Sequence, residues 1–145
     1  MTSASGLRET RDVGGVRLVR VIAIRLIAAI LGASGIAKLV APASGTVLPF
    51  SATAAFGVVE TVLAIALLVA PERRAVLTSV LAFSTLLLVG LIGASEAGIP
   101  ATACGCFGKW LVLRGYAGHY ALHGFILITT CFGLMKEDAV VAIDT

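Results

Sequence analysis

Residues 50–70 read FSATAAFGVVETVLAIALLVA, twenty-one positions with one ionisable side chain, Glu60, at their centre. As a helix this run rises about 30 Å, the thickness of a bilayer's hydrocarbon layer. No alternation of polar and apolar residues marks it as a barrel strand. Lipid offers the backbone no hydrogen-bond partners, so an apolar run of this length reads as a helix. Pro71 stops it, and Glu72, Arg73 and Arg74 make a tight polar turn.

Three further runs share the pattern. The first, residues 16–39, holds Arg25 inside it and Lys38 at its far end. The third, 75–94, has no ionisable side chain, and the fourth, 116–135, carries His119, His123 and Cys131. Four spans of this kind use roughly 80 residues. The chain has 145, with 59% hydrophobic and only 13% charged residues. Its mean hydropathy is +1.04. What remains is short loops and tails, which leaves no room for a Rossmann or P-loop enzyme, a disulfide-rich secreted domain or a DNA-binding module. The expected fold is all-α: one integral membrane four-helix bundle occupying residues 1–145 as a single domain.

The first run also has features of a secretory leader. Arg8, Arg11, Arg17 and Arg20 make a basic leader at its start, and Gly32, Ala33, Ser34 and Gly35 resemble a cleavage site. Arg25 interrupts the apolar stretch, however, and the pattern continues to Val40, so it is read as a span. The small residues Gly32, Ala33, Ser34, Gly35 and Ala37 suit close packing of helices in lipid. The tails, 1–14 and 137–145, are polar and expected to be loosely ordered.

Orientation follows from the basic residues. Arg8, Arg11, Arg17, Arg20, Arg73, Arg74 and Lys136 fall on one side of the spans, against Lys38, Lys109 and Arg114 on the other. The positive-inside bias places both termini in the cytoplasm and the loop 95–115 outside. The net charge of +3 and pI near 9.0 then reflect membrane topology, with no nucleic-acid partner implied. Phe107, Trp110, Tyr116 and Tyr120 cluster near that loop as an interfacial aromatic belt would.

The outward loop carries Cys104-Gly105-Cys106-Phe107-Gly108-Lys109. Two cysteines one residue apart on an oxidising face can form a disulfide. The ring they close is small, and Gly105 relieves its crowding. Such a ring departs from relaxed disulfide geometry, which makes it reducible and hence oxidising. Lys109 favours the attacking thiolate. A structural staple gains from closing a long loop, and this loop is nearly the shortest available. Cys104 and Cys106 are therefore the candidate catalytic pair.

A metal site is the alternative use of the same residues. Cys104, Cys106, His119 and His123 approach a Cys2His2 spacing that suits Zn or Cu(I), with one residue too few between the cysteines. His119 and His123, at i and i+4, share a face near the outer end of the fourth span. In the redox reading they relay protons or bind a quinone head group. Cys131 lies about 18 Å deeper along the same helix and is expected to be a small buried apolar residue.

Glu60 is the costliest residue in the chain. A lone acid at mid-membrane costs about 3 kcal/mol to insert, so it should be paired, neutral or functional. Two cations compete for it: Arg25, approaching from the inner side, and Lys38, reaching down from the outer end of the first span. Either would make a pair that locks the helices or a group that moves protons.

Gly35-Ile36-Ala37-Lys38-Leu39, then Val58-Val59-Glu60, then Cys104-Gly105-Cys106-Phe107-Gly108 together resemble the MauE/DoxX-like membrane proteins over residues 20–135. The resemblance implies a four-helix protein of a bacterial cytoplasmic membrane. The MauE branch is associated with methylamine utilisation, where it helps form disulfides in the methylamine dehydrogenase small subunit beside a thioredoxin-like partner. The DoxX-like relatives imply electron transfer to quinone. By position, the resemblance marks Cys104 and Cys106 as the redox pair and Lys38 and Glu60 as supporting polar residues. Ala101, Thr102 and Ala103 stand where an acid is expected before the first cysteine, and His119 and His123 are additions to the pattern.

The expected function is a membrane thiol–disulfide oxidoreductase. Cys104 and Cys106 exchange with an extracytoplasmic thioredoxin-like protein, which in turn serves its own thiol substrate. Quinone is the acceptor near His119, His123, Glu60, Lys38 or Arg25, and no metal is needed. The charge pattern leaves the direction of electron flow open. The alternatives are a metal-handover protein using Cys104, Cys106, His119 and His123, and a non-enzymatic assembly subunit of a membrane complex.

Overall fold

The computed structural model describes residues 6–40, 48–100 and 115–141. They form four helices: α1 (Gly6–Val40), α2 (Phe50–Val69), α3 (Arg74–Glu96) and α4 (Tyr116–Val141). Each contains a stretch long and apolar enough to cross a membrane: Leu18–Val40, Phe50–Val69, Arg74–Glu96 and Tyr116–Met135. These lie within a few residues of the spans expected from hydropathy. Among the described residues the chain is an all-helical bundle of four potential membrane spans.

Two ends differ from expectation. The helix of the first span starts at Gly6, inside the tail expected to be loose, and that of the fourth runs on to Val141. No proline interrupts residues 1–41 or 101–145. A helix already nucleated in the span propagates at one hydrogen bond per residue until something breaks it. Pro42, two residues past Val40, restricts its predecessor and marks such a break.

The other ends are set by local chemistry. Pro49 caps α2 in an extended conformation, and its carbonyl accepts the Thr53 N–H at 3.1 Å. Ala70 to Arg73 form the turn into α3, with the Arg73 N–H donating to the Ala70 carbonyl at 3.2 Å and Pro71 in the second position it favours. Gly98 ends α3 with φ at +69°, a left-handed conformation natural to glycine. Around it the Ile99 N–H donates to Ala94 at 3.0 Å and the Gly98 N–H to Ser95 at 3.1 Å, the paired bonds of a Schellman cap.

The helices pack as two antiparallel pairs, α1 on α2 and α3 on α4, with lighter contact between the pairs. The α1–α2 crossing is the closest approach. A Cβ at Gly35 would lie 2.6 Å from the Gly57 carbonyl and 2.5 Å from the Thr61 hydroxyl; one at Gly57 would lie 2.9 Å from the Gly35 carbonyl. The two backbones therefore touch, as small residues permit in lipid. Inward positions on α2 are Thr53, Gly57, Glu60, Ala64 and Leu67, spaced four and three apart as in a coiled-coil seam.

The core has two halves. Toward the chain termini it is mainly apolar and closed, with Ile27, Leu67, Leu77, Val80 and Ile126 all at most 2% exposed and the Thr130 hydroxyl buried among them, donating to the Ile126 carbonyl at 2.7 Å. Toward the end bearing the α1–α2 and α3–α4 connections, the buried side chains include Ser34, Lys38, Thr53, Glu60, His119 and His123. Valines, leucines and isoleucines instead crowd the outer surface, Val62, Leu68 and Val89 among them. Polar groups inside and an apolar outside suit a solvent of lipid.

Replacing Gly35 by Ala is expected to destabilise the protein by about 1–3 kcal/mol through backbone overlap at the crossing. Gly90→Ala, where a Cβ meets nothing within 4 Å, should change stability by less than about 0.5 kcal/mol. Denaturant unfolding in micelles measures both.

Candidate functional site

Lys38 lies two residues from the end of α1, yet its charge reaches the middle of α2. Helical side chains lean toward the helix N-terminus, so Lys38 folds back into the bundle. Its Nζ is 2.7 Å from Glu60 Oε1, 2.6 Å from Oε2, and 2.7 Å from the Ser34 hydroxyl. Ser34 Oγ donates to Glu60 Oε2 at 2.8 Å. Lys38 and Glu60 are 7% and 3% exposed, so this is a buried, hydrogen-bonded ion pair. Glu60 sits about 15 Å along α2 from its start.

Of the two cations that hydropathy offered to Glu60, Lys38 has it. The Gly35–Gly57 crossing fixes the antiparallel register and sets Glu60 opposite Ser34 and Lys38. Arg25 is thirteen residues back along α1, about 20 Å away, and its side chain is exposed. Nearer the chain termini, Arg20 Nη2 donates to the Gly133 carbonyl at 3.0 Å and ties α1 to α4.

Beside the pair is a cavity of about 480 Å³, a size common for small-molecule sites. Lys38 and Glu60 line one wall, with Phe56 of α2; His123 and Tyr116 of α4 face them. From α3 come Leu86, Leu87, Gly90, Leu91, Gly93 and Ala94, while Leu48, Ile99 and Pro100 line the connection end. The walls are mainly apolar, and the polar atoms come from a few side chains.

His119 and His123 are 3% and 6% exposed. They head the inward stripe of α4 that continues through Ile126, Thr130 and Gly133. Neither ring nitrogen of His119 has a protein partner among the described residues, nor does Nδ1 of His123. A neutral imidazole has one donor and one acceptor to satisfy, and a buried polar atom left unpaired costs about 1–3 kcal/mol. Only His123 reaches the cavity wall; His119 lies one turn nearer the connection end.

Two tyrosines hold α4 to α3 at that end. The Tyr116 hydroxyl donates to the Ile99 carbonyl, and the Tyr120 hydroxyl donates to Ser95 Oγ at 3.0 Å. Their rings stack at 5.9 Å. Hydropathy marked both only as interfacial aromatics, and missed Ser34 as a hydrogen-bonding residue. The i, i+4 spacing of Ser34 and Lys38 was the available signal. Cys131 is exposed rather than buried, because it follows Thr130, which occupies the inward stripe.

Cys104, Cys106, Phe107, Lys109, Trp110 and Arg114 lie outside the described residues. Their segment is joined to Pro100 at one end, and Tyr116 follows one residue beyond Gly115 at the other; both Pro100 and Tyr116 line the cavity. The cysteine half of a Cys2His2 set thus lies outside the described residues too. Among those described, no three His, Cys, Asp or Glu side chains gather as a metal site. No family model, curated protein or solved structure matches the chain.

Removing one member of the ion pair leaves a buried charge without its partner. Lys38→Met and Glu60→Gln should each destabilise the protein, Lys38→Met by about 3–5 kcal/mol. The double variant should cost less than the two single losses together, with a coupling of about 1–3 kcal/mol. Equilibrium unfolding of the four proteins in micelles measures the cycle.

Proposed function

We propose that this protein is a membrane thiol–disulfide oxidoreductase of the MauE/DoxX-like kind. It resides in a bacterial cytoplasmic membrane, with both termini inside and the Cys104–Cys106 segment outside. The observation that carries the proposal is the cavity. Among its lining residues, Lys38, Glu60, His123 and Tyr116 carry polar side chains against otherwise apolar walls.

The exchange begins with the Cys104–Cys106 disulfide. A thiolate of an extracytoplasmic thioredoxin-like partner attacks one sulfur, the Cys104–Cys106 bond breaks, and a mixed disulfide forms. The partner's second thiolate then displaces the bound cysteine. The partner leaves oxidised, and Cys104 and Cys106 are left as thiols. Their reoxidation releases two electrons and two protons. A quinone held beside Lys38, Glu60 and His123 would supply the matching two-electron, two-proton sink.

The chain's own residues orient and protonate. Lys38, held by Glu60 and Ser34, presents a fixed positive charge on the cavity wall, where it favours an acceptor gaining electron density. His123 places an imidazole on the facing wall, and His119 lies one turn nearer the connection end. Together they offer titratable groups that can accept and pass on the protons the thiols release. The quinone carbonyls can accept hydrogen bonds from these donors, so the residues present suit such a head group.

Thiol trapping in intact membranes tests the proposal, with a bulky maleimide and a Cys131→Ser background. Both loop thiols should label only after reduction and become blocked again when quinone is added. Cys104→Ser or Cys106→Ser should lower quinone-dependent reoxidation by at least about 100-fold, since no disulfide can form between the pair. Full labelling without reduction overturns the exchange mechanism. Labelling that instead requires a chelator supports the metal reading with Cys104, Cys106, His119 and His123, the use that the unpartnered imidazoles favour next.

A further inference from the structure

The cavity is open on its flank. Its α3 wall includes Leu86, Gly90 and Gly93, and all three are exposed among the described residues. A Cβ at Gly90 or Gly93 would meet nothing within 4 Å. Helices α2 and α3 belong to different packed pairs and touch only lightly. One of their contacts is between the rings of Phe56 and Phe83, 6.1 Å apart. Gly90 lies seven residues beyond Phe83, about 10 Å along α3. On that side of the ring pair the cavity lining runs from the exposed Leu86, Gly90 and Gly93 to Lys38, Glu60 and His123.

From this geometry we infer that an isoprenoid quinone enters sideways from the bilayer between α2 and α3. Its head group lies toward His123 and the Lys38–Glu60 pair, and its tail passes out over Gly90 and Gly93. The inference rests on the reading of the cavity as the acceptor site and adds the route and the orientation. Two independent observations support it. The mouth is apolar and within a membrane span, which suits a hydrocarbon tail. At the inner end His123 is 6% exposed, with Nδ1 unpartnered, which suits a polar head. A ligand polar at one end and apolar at the other has one way to lie in such a site. The absent side chains of Gly90 and Gly93 make the passage, and these residues therefore act as size filters for the tail.

The test measures binding, not turnover. The purified full chain in detergent is equilibrated with a long-tailed quinone or a tail-less analogue, washed, extracted and assayed for quinone by absorbance. Wild type should retain both. Gly90→Leu/Gly93→Leu should retain the long-tailed quinone at least about tenfold less well and the analogue within about threefold, because added bulk blocks the tail while sparing the head-group end. Val62→Ala, exposed on α2 and outside the cavity lining, should bind like wild type. Circular dichroism and Tm report whether the leucine variant folds. As a second measurement, a quinone with a photoreactive tail should cross-link wild type in peptides containing residues 83–93, which does not depend on any variant.

Equal retention of the long-tailed quinone by the leucine variant, or cross-links confined to α1 and α4, overturns the lateral route while leaving the proposed function standing. Loss of both ligands from a folded leucine variant overturns the tail-specific filter. If wild type retains neither quinone, or extraction yields bound phospholipid instead, the acceptor-site reading fails and the route fails with it.

Discussion

A carboxylate cannot stand alone in the middle of a bilayer, and the bundle is organised around supplying Glu60 with its cation. Lys38 reaches it only because α1 and α2 touch backbone to backbone at Gly35 and Gly57. That contact sets the register, brings Ser34 alongside, and leaves the ammonium within 2.7 Å of both carboxylate oxygens. Desolvating two charges costs several kcal/mol per ion, so such a pair is weak evidence for net stability. Its value here lies in location: it fixes a polar wall at a depth where lipid would otherwise exclude one.

The remaining architecture divides the interior between packing and chemistry. The half near the termini is closed by interlocking aliphatic side chains. The half near the connections holds the buried ionisable residues and the cavity. Tyr116 and Tyr120 secure the open half by hydrogen-bonding α4 to the end of α3, where the Gly98 cap turns the chain. A hollow bundle would tend to close around its void. Staples at one end and dense packing at the other hold the helices apart between them.

Much of this was legible in the sequence because lipid removes alternatives. An apolar run such as 50–70 must be helical, and a charged or imidazole side chain within it is conspicuous, so Glu60, Lys38, His119 and His123 stood out singly, as did Arg25, which faces outward. Their grouping did not. The competition between Arg25 and Lys38 depends on the crossing of two helices, which hydropathy along one helix does not contain. Ser34 read as a packing residue because its small size and its hydroxyl suit different roles. The cavity was hidden for the same reason: it arises where residues are missing, at Gly90 and Gly93, and pattern reading weighs what is present. Cys131 fell on the outer face through a phase difference of one residue from Thr130, finer than span-level reading resolves.

The closed half of the core has an electrical consequence. The largest fully buried side chains, Ile27, Leu67, Leu77, Val80, Ile126, Ser84 and Thr130, include two hydroxyls but no ionisable group. In the proposed reaction, if the cavity draws its protons from the face on which the thiols release theirs, no net charge crosses the membrane. Turnover would be electroneutral, and its driving force would be the difference in reduction potential between thiol and quinone alone. A polarised membrane would neither drive it nor hold it back.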